Sequence, residues 1–121
     1  MAGLAFKPGT DDTREAPSLT IVPELTARGY RVAAWDPRVS ESVWRQRFSG
    51  AERHDTLEAA TKDKNVVLVL TEWPELVHAD WRAIRRGMRQ PAVVIDGRNC
   101  LDPVAMRALG FNYRGIGRAN P

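Results

Sequence analysis

The longest uninterrupted apolar run in the chain is Val66-Val67-Leu68-Val69-Leu70, and Thr71-Glu72-Trp73 follows it at once. A short, β-branched run between polar residues is typical of a buried strand. On the same grounds we predict strands at residues 92–95 and at residues 31–35, the latter closed by Asp36-Pro37. All of these runs are far shorter than the roughly 20 apolar residues of a membrane-spanning helix, so we expect no membrane segment.

A helix with recognisable ends precedes the strand at residues 31–35. Pro17 suits the first turn of a helix, and Gly29 suits the left-handed exit after its last residue. We therefore predict a helix at residues 17–28. Pro23 lies inside it and removes a backbone donor, so we expect a kink or a delayed start.

Acidic residues mark the starts of three later helices. Asp55 and Glu58 have capping-box spacing and predict a short helix before the strand at residue 66. Asp80 is placed to cap the next helix. Asp102-Pro103 is placed to start the last helix, which Gly110 ends.

Strands and helices alternate, which is the pattern of a parallel sheet covered by helices on both faces. The first strand would be residues 3–6, ahead of the Lys7-Pro8-Gly9 turn, and it is shorter than a typical central strand. We predict an α/β fold in three layers, with a Rossmann-like, mostly parallel sheet between helices. Residues 1–121 would form it as a single domain.

Composition fits this class. The chain has 121 residues, 43% of them apolar and 27% charged, which suits one domain with a real core and excludes disordered and fibrous classes. Its single cysteine, Cys100, excludes an internal disulfide framework and, with no Cys or His close by, disfavours a structural zinc site. We expect a reducing, cytoplasmic location.

Positive charge is concentrated in the second half of the chain. Residues 1–60 carry 8 basic and 9 acidic side chains, whereas residues 61–121 carry 10 and 6. In the helix that Asp80 starts, Trp81, Ile84 and Met88 share one face. The other face, called here the arginine face, consists of Arg82, Arg85, Arg86 and Arg89. It is either a solvated surface or a site for an anionic partner.

The densest polar cluster follows the predicted first strand and comprises Lys7, Pro8, Gly9, Thr10, Asp11, Asp12, Thr13 and Arg14. Ligands of parallel α/β sheets collect at the carboxyl ends of strands, where backbone N–H groups and helix dipoles favour anions. Lys7 and Arg14 would add positive charge there. The equal alternative is that an aspartate caps the next helix and Lys7 is a surface residue.

Neither nucleotide-loop pattern is present in this cluster. It lacks the three spaced glycines of a dinucleotide fingerprint and the GxxxxGK pattern of a phosphate loop. Without the fingerprint, Asp36 is better explained as part of an Asp-Pro turn than as a ribose-binding acid.

A second polar cluster, Asp96-Gly97-Arg98-Asn99, follows the strand at residues 92–95. Arg98 could reach the same crevice as Lys7 and offer its planar guanidinium to a phosphate or carboxylate. The alternative is a structural ion pair of Arg98 with Asp96 or Asp102. A third candidate cluster is Thr71-Glu72-Trp73, in which the tryptophan could instead cover the sheet edge.

No catalytic arrangement stands out in the sequence. Cys100 would be a nucleophile only with a base beside it, and we place His54 and His78 away from the strand ends. A buried, inert thiol fits Cys100 better. We therefore predict no catalytic residue and no metal site.

Five motifs occur in the order in which they occur in the UDP-glucose/GDP-mannose dehydrogenase family, and this resemblance covers essentially the whole chain. They are Gly3-Leu4-Ala5-Phe6-Lys7-Pro8-Gly9-Thr10-Asp11-Asp12-Thr13-Arg14-Glu15, Trp35-Asp36-Pro37, Thr71-Glu72-Trp73, Asp96-Gly97-Arg98-Asn99 and Tyr113-Arg114-Gly115-Ile116-Gly117-Arg118. The chain resembles the C-terminal, UDP-binding domain of members that oxidise UDP-glucose.

The resemblance implies a role in binding a nucleotide sugar. Such members convert UDP-glucose to UDP-glucuronate in two NAD-dependent hydride transfers, with NAD on an N-terminal domain and a catalytic cysteine on a central domain. By the resemblance, Phe6, Lys7 and Arg98 match positions that contact the UDP-sugar. Arg14 matches an arginine that reaches the NAD.

The family's catalytic parts are missing from this sequence. It has no Gly-Gly-Ser-Cys-Phe-Pro-Lys-Asp motif and no glycine-rich NAD loop, so Cys100 is not the catalytic cysteine. Ala16 replaces the serine that is usual before the proline, and the family's first strand begins before Gly3, so we expect a shortened strand here. We expect the chain to bind UDP-glucose or UDP without oxidising it alone, either as a fragment of such an enzyme or as part of a split enzyme in which a separate chain carries the other two domains.

Three alternatives stay open, and the third is a folded relic without a function. The GDP-mannose branch shares most of the motifs, so the base is not fixed by them. A basic interaction module would bind polyanions such as nucleic acid through the arginine face, with steep salt dependence. The absence of aromatic residues among those arginines disfavours the second alternative.

Overall fold

The structure is a computed structural model that describes residues 1–5 and 16–117. Its helices are α1 (Ser18–Ala27), α2 (Glu41–Arg47), α3 (Leu57–Thr61), α4 (Pro74–Val77), α5 (Trp81–Gly87) and α6 (Pro103–Ala108). Its strands are β1 (Val32–Ala34), β2 (Ala51–Arg53), β3 (Val66–Val69), β4 (Val93–Asp96) and β5 (Asn112–Gly115).

The strands pair in parallel, in two groups that one short segment joins. β1 pairs with β2, and β4 pairs with β3 on one side and β5 on the other. Ala2 lies between the groups and forms a parallel bridge to Trp35 and another to Val69. The order across the sheet is therefore β2, β1, the Ala2 segment, β3, β4, β5. The chain winds outward in one direction, returns to the middle and winds outward in the other.

This order confirms the predicted α/β, Rossmann-like parallel sheet. Because crossovers between parallel strands are right-handed, a reversal of winding places the helices of the two halves on opposite faces. The reversal occurs between the Ala2 segment and β3. In open α/β sheets, ligands bind outside the carboxyl ends of the strands at such a reversal.

One hydrophobic core spans both halves of the sheet. Val67, Val69 and Val94 are buried in the central strands, and each buried valine contributes about 1.5–3 kcal/mol to folding. The α5 face of Trp81, Ile84 and Met88 is also buried, which confirms the predicted amphipathic helix. This packing fixes the strands whose ends form the candidate site.

The predicted helix at residues 17–28 is present as α1, with Pro17 at its N-cap. Gly29 follows its C-cap with φ 86°, the left-handed conformation expected of it. The helix runs through Pro23 without a delayed start. Asp80 and Asp102 cap α5 and α6 as predicted, each accepting a backbone N–H of its helix.

The predicted first strand at residues 3–6 is wrong over the part that the structure describes. The sheet pairing is at Ala2, and Gly3 turns the chain away with φ 93°. The N–H groups of Leu4 and Ala5 then donate to the carboxylate of Asp36 instead of to a strand. Phe6 lies outside the described residues.

The predicted capping box of Asp55 and Glu58 is also wrong. Thr56 is the N-cap of α3, in an extended conformation, and its Oγ1 accepts a hydrogen bond from the Ala59 N–H at 3.1 Å. The acidic residue one position earlier had the right chemistry but the wrong place, because a cap must lie directly before the first helical residue.

Candidate functional site

Asp36 holds the chain where it leaves the centre of the sheet. The residue follows β1 closely and is buried. Its Oδ2 accepts hydrogen bonds from the N–H groups of Leu4 at 2.7 Å and Ala5 at 2.9 Å, and from Trp73 Nε1 at 3.2 Å. Its Oδ1 accepts two backbone N–H groups of the turn after β1, at 2.8 and 3.1 Å. One carboxylate thus ties together the ends of β1, the Ala2 segment and β3.

These bonds show that Asp36 does not serve as a ribose-binding acid. Both of its oxygens already accept N–H groups of the chain itself, three on Oδ2 and two on Oδ1. Because the glycine fingerprint is also missing, the described residues do not fit a bound NAD. The Asp-Pro turn is the correct interpretation, and Trp73 belongs to the same buried network.

The described residues on either side of residues 6–15 are held together at the carboxyl edge of the sheet. Thr71 Oγ1 donates to the carbonyl of Ala5 at 2.6 Å, and Ser18 Oγ donates to the carbonyl of Leu4 at 2.7 Å. Thr71 and Ser18 are fully buried. A Cβ on Gly3 would lie 2.6 Å from the Cβ of Thr71, so only glycine fits there. Ala5 and Ser18 are therefore both held at this edge.

Asp96 plays the corresponding part at the end of β4. It is fully buried, and its Oδ1 accepts the N–H of Arg98 at 3.0 Å. Its Oδ2 accepts the N–H of Leu101 at 2.9 Å and the hydroxyl of Tyr113 at 2.8 Å. The N–H of Gly97 donates to the carbonyl of Val69 at 2.9 Å. The loop after β4 is thereby pinned beside the end of β3.

Arg98 and Glu72 join the loops that follow β4 and β3. Arg98 Nε lies 2.6 Å from Glu72 Oε2, and Nη2 lies 3.3 Å from Oε1, so the pair is bidentate. Both side chains are partly exposed, at 29% and 36%. The predicted alternative of an ion pair with Asp96 or Asp102 is wrong, because Asp96 binds the backbone of Arg98 and Asp102 caps α6.

Of the predicted contact residues, the structure describes Arg98 and places it on the loop after β4, in contact with the loop that follows β3. Phe6, Lys7 and Arg14 lie outside the described residues. Ala5, the last described residue before Phe6, accepts a hydrogen bond from Thr71. Glu72, which follows Thr71 in the chain, binds the Arg98 guanidinium. Sequence reasoning did not single out Ser18, because a serine at a helix start is ordinarily explained as a cap.

Cys100 is not a poised nucleophile. It is half-buried, with its Sγ 3.8 Å from Asp96 Oδ1. Burial, reinforced by the charge of Asp96, raises the pKa of the thiol to about 12. The prediction that His54 lies away from strand ends is wrong, since it directly follows β2. Four strand spacings separate β2 from β4, about 19 Å, so His54 cannot act on Cys100.

The arginine face is mainly a solvated surface. Arg82, Arg86 and Arg89 are exposed, and Arg85 Nε donates to the carbonyl of Gly110 at 3.3 Å. Within residues 1–5 and 16–117, no group of three or more His, Cys, Asp or Glu side chains is arranged to hold a metal ion. The same residues include no helix long and apolar enough to cross a membrane.

Comparison with known proteins adds the following findings. A model of the UDP-glucose/GDP-mannose dehydrogenase family, UDP binding domain, matches residues 1–103. A UDP-glucose 6-dehydrogenase from Pseudomonas aeruginosa is 44% identical over 124 residues, which cover 96% of this chain and 26% of that protein. The chain thus spans about a quarter of the length of this relative.

Solved structures show the same fold. An NDP-N-acetyl-D-galactosaminuronic acid dehydrogenase from Methanosarcina mazei aligns with a TM-score of 0.83 and 29% identity, over 98% of this chain and 24% of that one. A UDP-D-ManNAc dehydrogenase from Pyrococcus horikoshii aligns with a TM-score of 0.74 and 35% identity, over 97% of this chain and 24% of that one.

Proposed function

The chain belongs to the UDP-glucose/GDP-mannose dehydrogenase family, and its match is to the UDP binding domain; from this premise we propose that it binds the uridine diphosphate part of UDP-glucose at the carboxyl edge of its sheet. The observation that carries the proposal is the meeting of three loops at the point where winding reverses. Asp36, Thr71 and the Glu72–Arg98 pair hold these loops together.

Arg98 is the cation that we assign to the diphosphate. Its backbone is held by Asp96, so the guanidinium projects from a fixed base. A planar guanidinium matches the oxygens of a phosphate in two parallel hydrogen bonds. We propose Lys7 as a second cation and Phe6 as a further contact to the UDP-sugar, on the family resemblance of their motif.

Glu72 competes with the diphosphate for Arg98. Its carboxylate contacts Nε and Nη2, which are donors that a phosphate would use. A phosphate that approaches this guanidinium therefore meets a like charge and must share or replace Glu72. We expect removal of that charge to favour nucleotide binding.

Uridine diphosphate is the part of the ligand that the names of the curated sequence relatives have in common. They include UDP-glucose 6-dehydrogenases and a UDP-N-acetyl-D-mannosamine dehydrogenase that is 34% identical. The higher identity of a UDP-glucose relative, 44%, favours UDP-glucose over other sugars and over the GDP-mannose alternative.

Oxidation of the sugar would need parts that this sequence does not contain. We propose that residues 1–121 act as one domain, in the cytoplasm, and that a separate chain supplies the NAD-binding and cysteine-bearing domains. Arg14 would then reach the NAD held by that chain. The chain spans about a quarter of the length of these relatives.

A titration of tryptophan fluorescence tests the proposal. UDP, UDP-glucose and GDP are added to the purified chain at two salt concentrations. Arg98→Ala removes a charge-assisted contact of about 1.5–3 kcal/mol, so UDP affinity should fall by roughly 10-fold to 150-fold. Arg82→Ala, which removes an exposed arginine of α5, is the matched control and should bind as the unmodified chain does.

The outcomes separate the candidates. Saturable binding that prefers UDP to GDP, weakened by Arg98→Ala and tightened by Glu72→Gln, supports the proposed site. An equal loss of nucleotide affinity in Arg98→Ala and Arg82→Ala, with steep salt dependence and no preference for the base, would instead indicate a polyanion-binding surface.

A further inference from the structure

The loop between β4 and α6 begins with a tight turn, Asp96-Gly97-Arg98-Asn99, which we call the β4 turn. Asn99 has a φ of 53°, in the left-handed region that few residues other than glycine adopt. Asparagine enters this region more readily than most residues, because its short polar side chain can form a local hydrogen bond. Asn99 directly follows Arg98, so its conformation sets the direction in which the chain continues past the guanidinium-bearing residue.

The Asn99 side chain ties the β4 turn to the end of β5. Its Nδ2 donates to the carbonyl of Ile116 at 2.7 Å. The N–H of Ile116 in return donates to the carbonyl of Asp96 at 3.3 Å, at the other end of the turn. The hydroxyl of Tyr113, in β5, donates to the Asp96 carboxylate at 2.8 Å. Both ends of the turn are therefore held by residues in β5 or just after it.

The other side of the β4 turn is held by β3. The N–H of Gly97 donates to the carbonyl of Val69, the last residue of β3, at 2.9 Å. A Cβ on Gly97 would lie 3.0 Å from that oxygen, so a larger residue would push the turn away from β3. Arg98 lies between these attachments, with Gly97 before it and Asn99 after it. The position of its backbone is thus set by both neighbouring strands.

Nucleotide binding makes the position of this backbone important. Glu72 orders the Arg98 guanidinium, with Nε 2.6 Å from Oε2. A diphosphate that uses these donors shares or replaces Glu72, and the position of the guanidinium then depends more on the backbone that carries it. A long side chain that is ordered before binding loses less conformational entropy on binding. A fixed base for Arg98 therefore favours affinity.

We propose that Asn99 is a positioning residue of the nucleotide site. Its amide holds the β4 turn on the end of β5 and thereby fixes the point from which the Arg98 guanidinium reaches the diphosphate. The inference rests on the proposed function, because it takes the diphosphate as the ligand of Arg98. The effect of Asn99 on nucleotide affinity passes through Arg98 and is distinct from a contribution to folding.

Asn99→Gly is the variant that tests this role. Glycine keeps the left-handed conformation without strain and removes the side-chain bond to Ile116, so the variant isolates that bond. In the fluorescence titration, UDP affinity should fall by about 3-fold to 10-fold, the size of the entropy cost of ordering one long side chain on binding.

Asp63→Gly is the matched control. Asp63 is also exposed and has a φ of 62°, but it lies ahead of β3, at the opposite edge of the sheet from Arg98. Both glycine variants should stay folded, which urea denaturation checks. Asp63→Gly should bind UDP as the unmodified chain does.

A double-mutant cycle separates positioning from a structural role. If Asn99 acts through Arg98, Asn99→Gly should not weaken UDP binding further in a chain that already carries Arg98→Ala. An equal loss of affinity with and without Arg98→Ala would overturn the inference. The NMR order parameter of the Arg98 backbone N–H, measured without nucleotide, should fall in Asn99→Gly and not in Asp63→Gly.

The proposed function and the role of Asn99 fail in different ways. UDP affinity that is unchanged by Arg98→Ala would show that the proposed nucleotide site is wrong. UDP affinity that is lowered by Arg98→Ala but unchanged by Asn99→Gly would leave the site in place and refute the positioning role. An order parameter of Arg98 that is the same in Asn99→Gly and in the unmodified chain would also refute it.

Discussion

Replacement of Asp36 by asparagine should destabilise the chain more than any surface substitution. The carboxylate accepts three N–H groups on Oδ2 and two on Oδ1. An asparagine has one oxygen and one NH₂ group. Its best orientation keeps the three hydrogen bonds of Oδ2 on the remaining oxygen and turns the NH₂ group toward the other two N–H donors, which then have no acceptor. Each donor left without a partner costs about 1–3 kcal/mol. One of these two donors is only partly buried, so we expect a loss of about 2–4 kcal/mol.

The free energy of unfolding is measured by urea denaturation with tryptophan fluorescence as the signal. Domains of this size have a total free energy of unfolding of about 5–15 kcal/mol. The loss of stability should therefore be visible as a lower urea midpoint, with an unchanged dependence of the free energy of unfolding on urea concentration. Asp55→Asn is the control, because Asp55 is exposed and does not cap α3. A loss below about 1 kcal/mol for Asp36→Asn would refute the role that we give this carboxylate.

Three other predictions use simple measurements. Thr56→Ala removes the N-cap of α3 and should cost about 1 kcal/mol in the same denaturation assay; no change would contradict the cap assignment. Because the pKa of Cys100 is raised to about 12, its alkylation by iodoacetamide at pH 8 should be at least about 100-fold slower than that of an unfolded control in urea, and equal rates would contradict the raised pKa of this half-buried thiol. The Met1 amine has its pKa lowered from 8.0 to about 5, so the unfolded chain binds more protons between these values and stability should rise from pH 5 to pH 8, by up to about 4 kcal/mol. An added N-terminal Gly-Ser-Gly-Ser, which turns the amine into an amide, should remove that rise; an unchanged rise would exclude the amine as its cause.

The parts of the fold that local pattern dictates were predictable from the sequence. β3 and β4 are short apolar runs between polar residues, and α5 and α6 start at aspartates whose carboxylates cap them. By contrast, β2 is three residues long with two of them exposed, and α4 has only four residues. Neither is long enough to show a period. Their structure depends on neighbours that are distant in sequence.

The candidate site was predictable in location but not in its internal contacts. Arg98 could be placed at a strand end, since strand ends of a parallel sheet share one edge. Its partner Glu72 is 26 residues away, and Asp36 is 32 residues from Leu4. No spacing rule relates residues so far apart, because their approach depends on which strands become neighbours. The alternation of strands and helices restricts the possible orders without fixing one.

The most direct test of the proposed binding site is a two-dimensional amide NMR titration of the isotope-labelled chain with UDP. We predict that the largest shift changes occur at Ala5, Glu72, Gly97 and Arg98, around the carboxyl ends of the Ala2 segment, β3 and β4. The exposed arginines of α5 should shift little, and GDP should produce smaller changes at the same concentration. Changes that centre on α5 and occur equally with both nucleotides, or no changes at any of these amides, would contradict the proposed site.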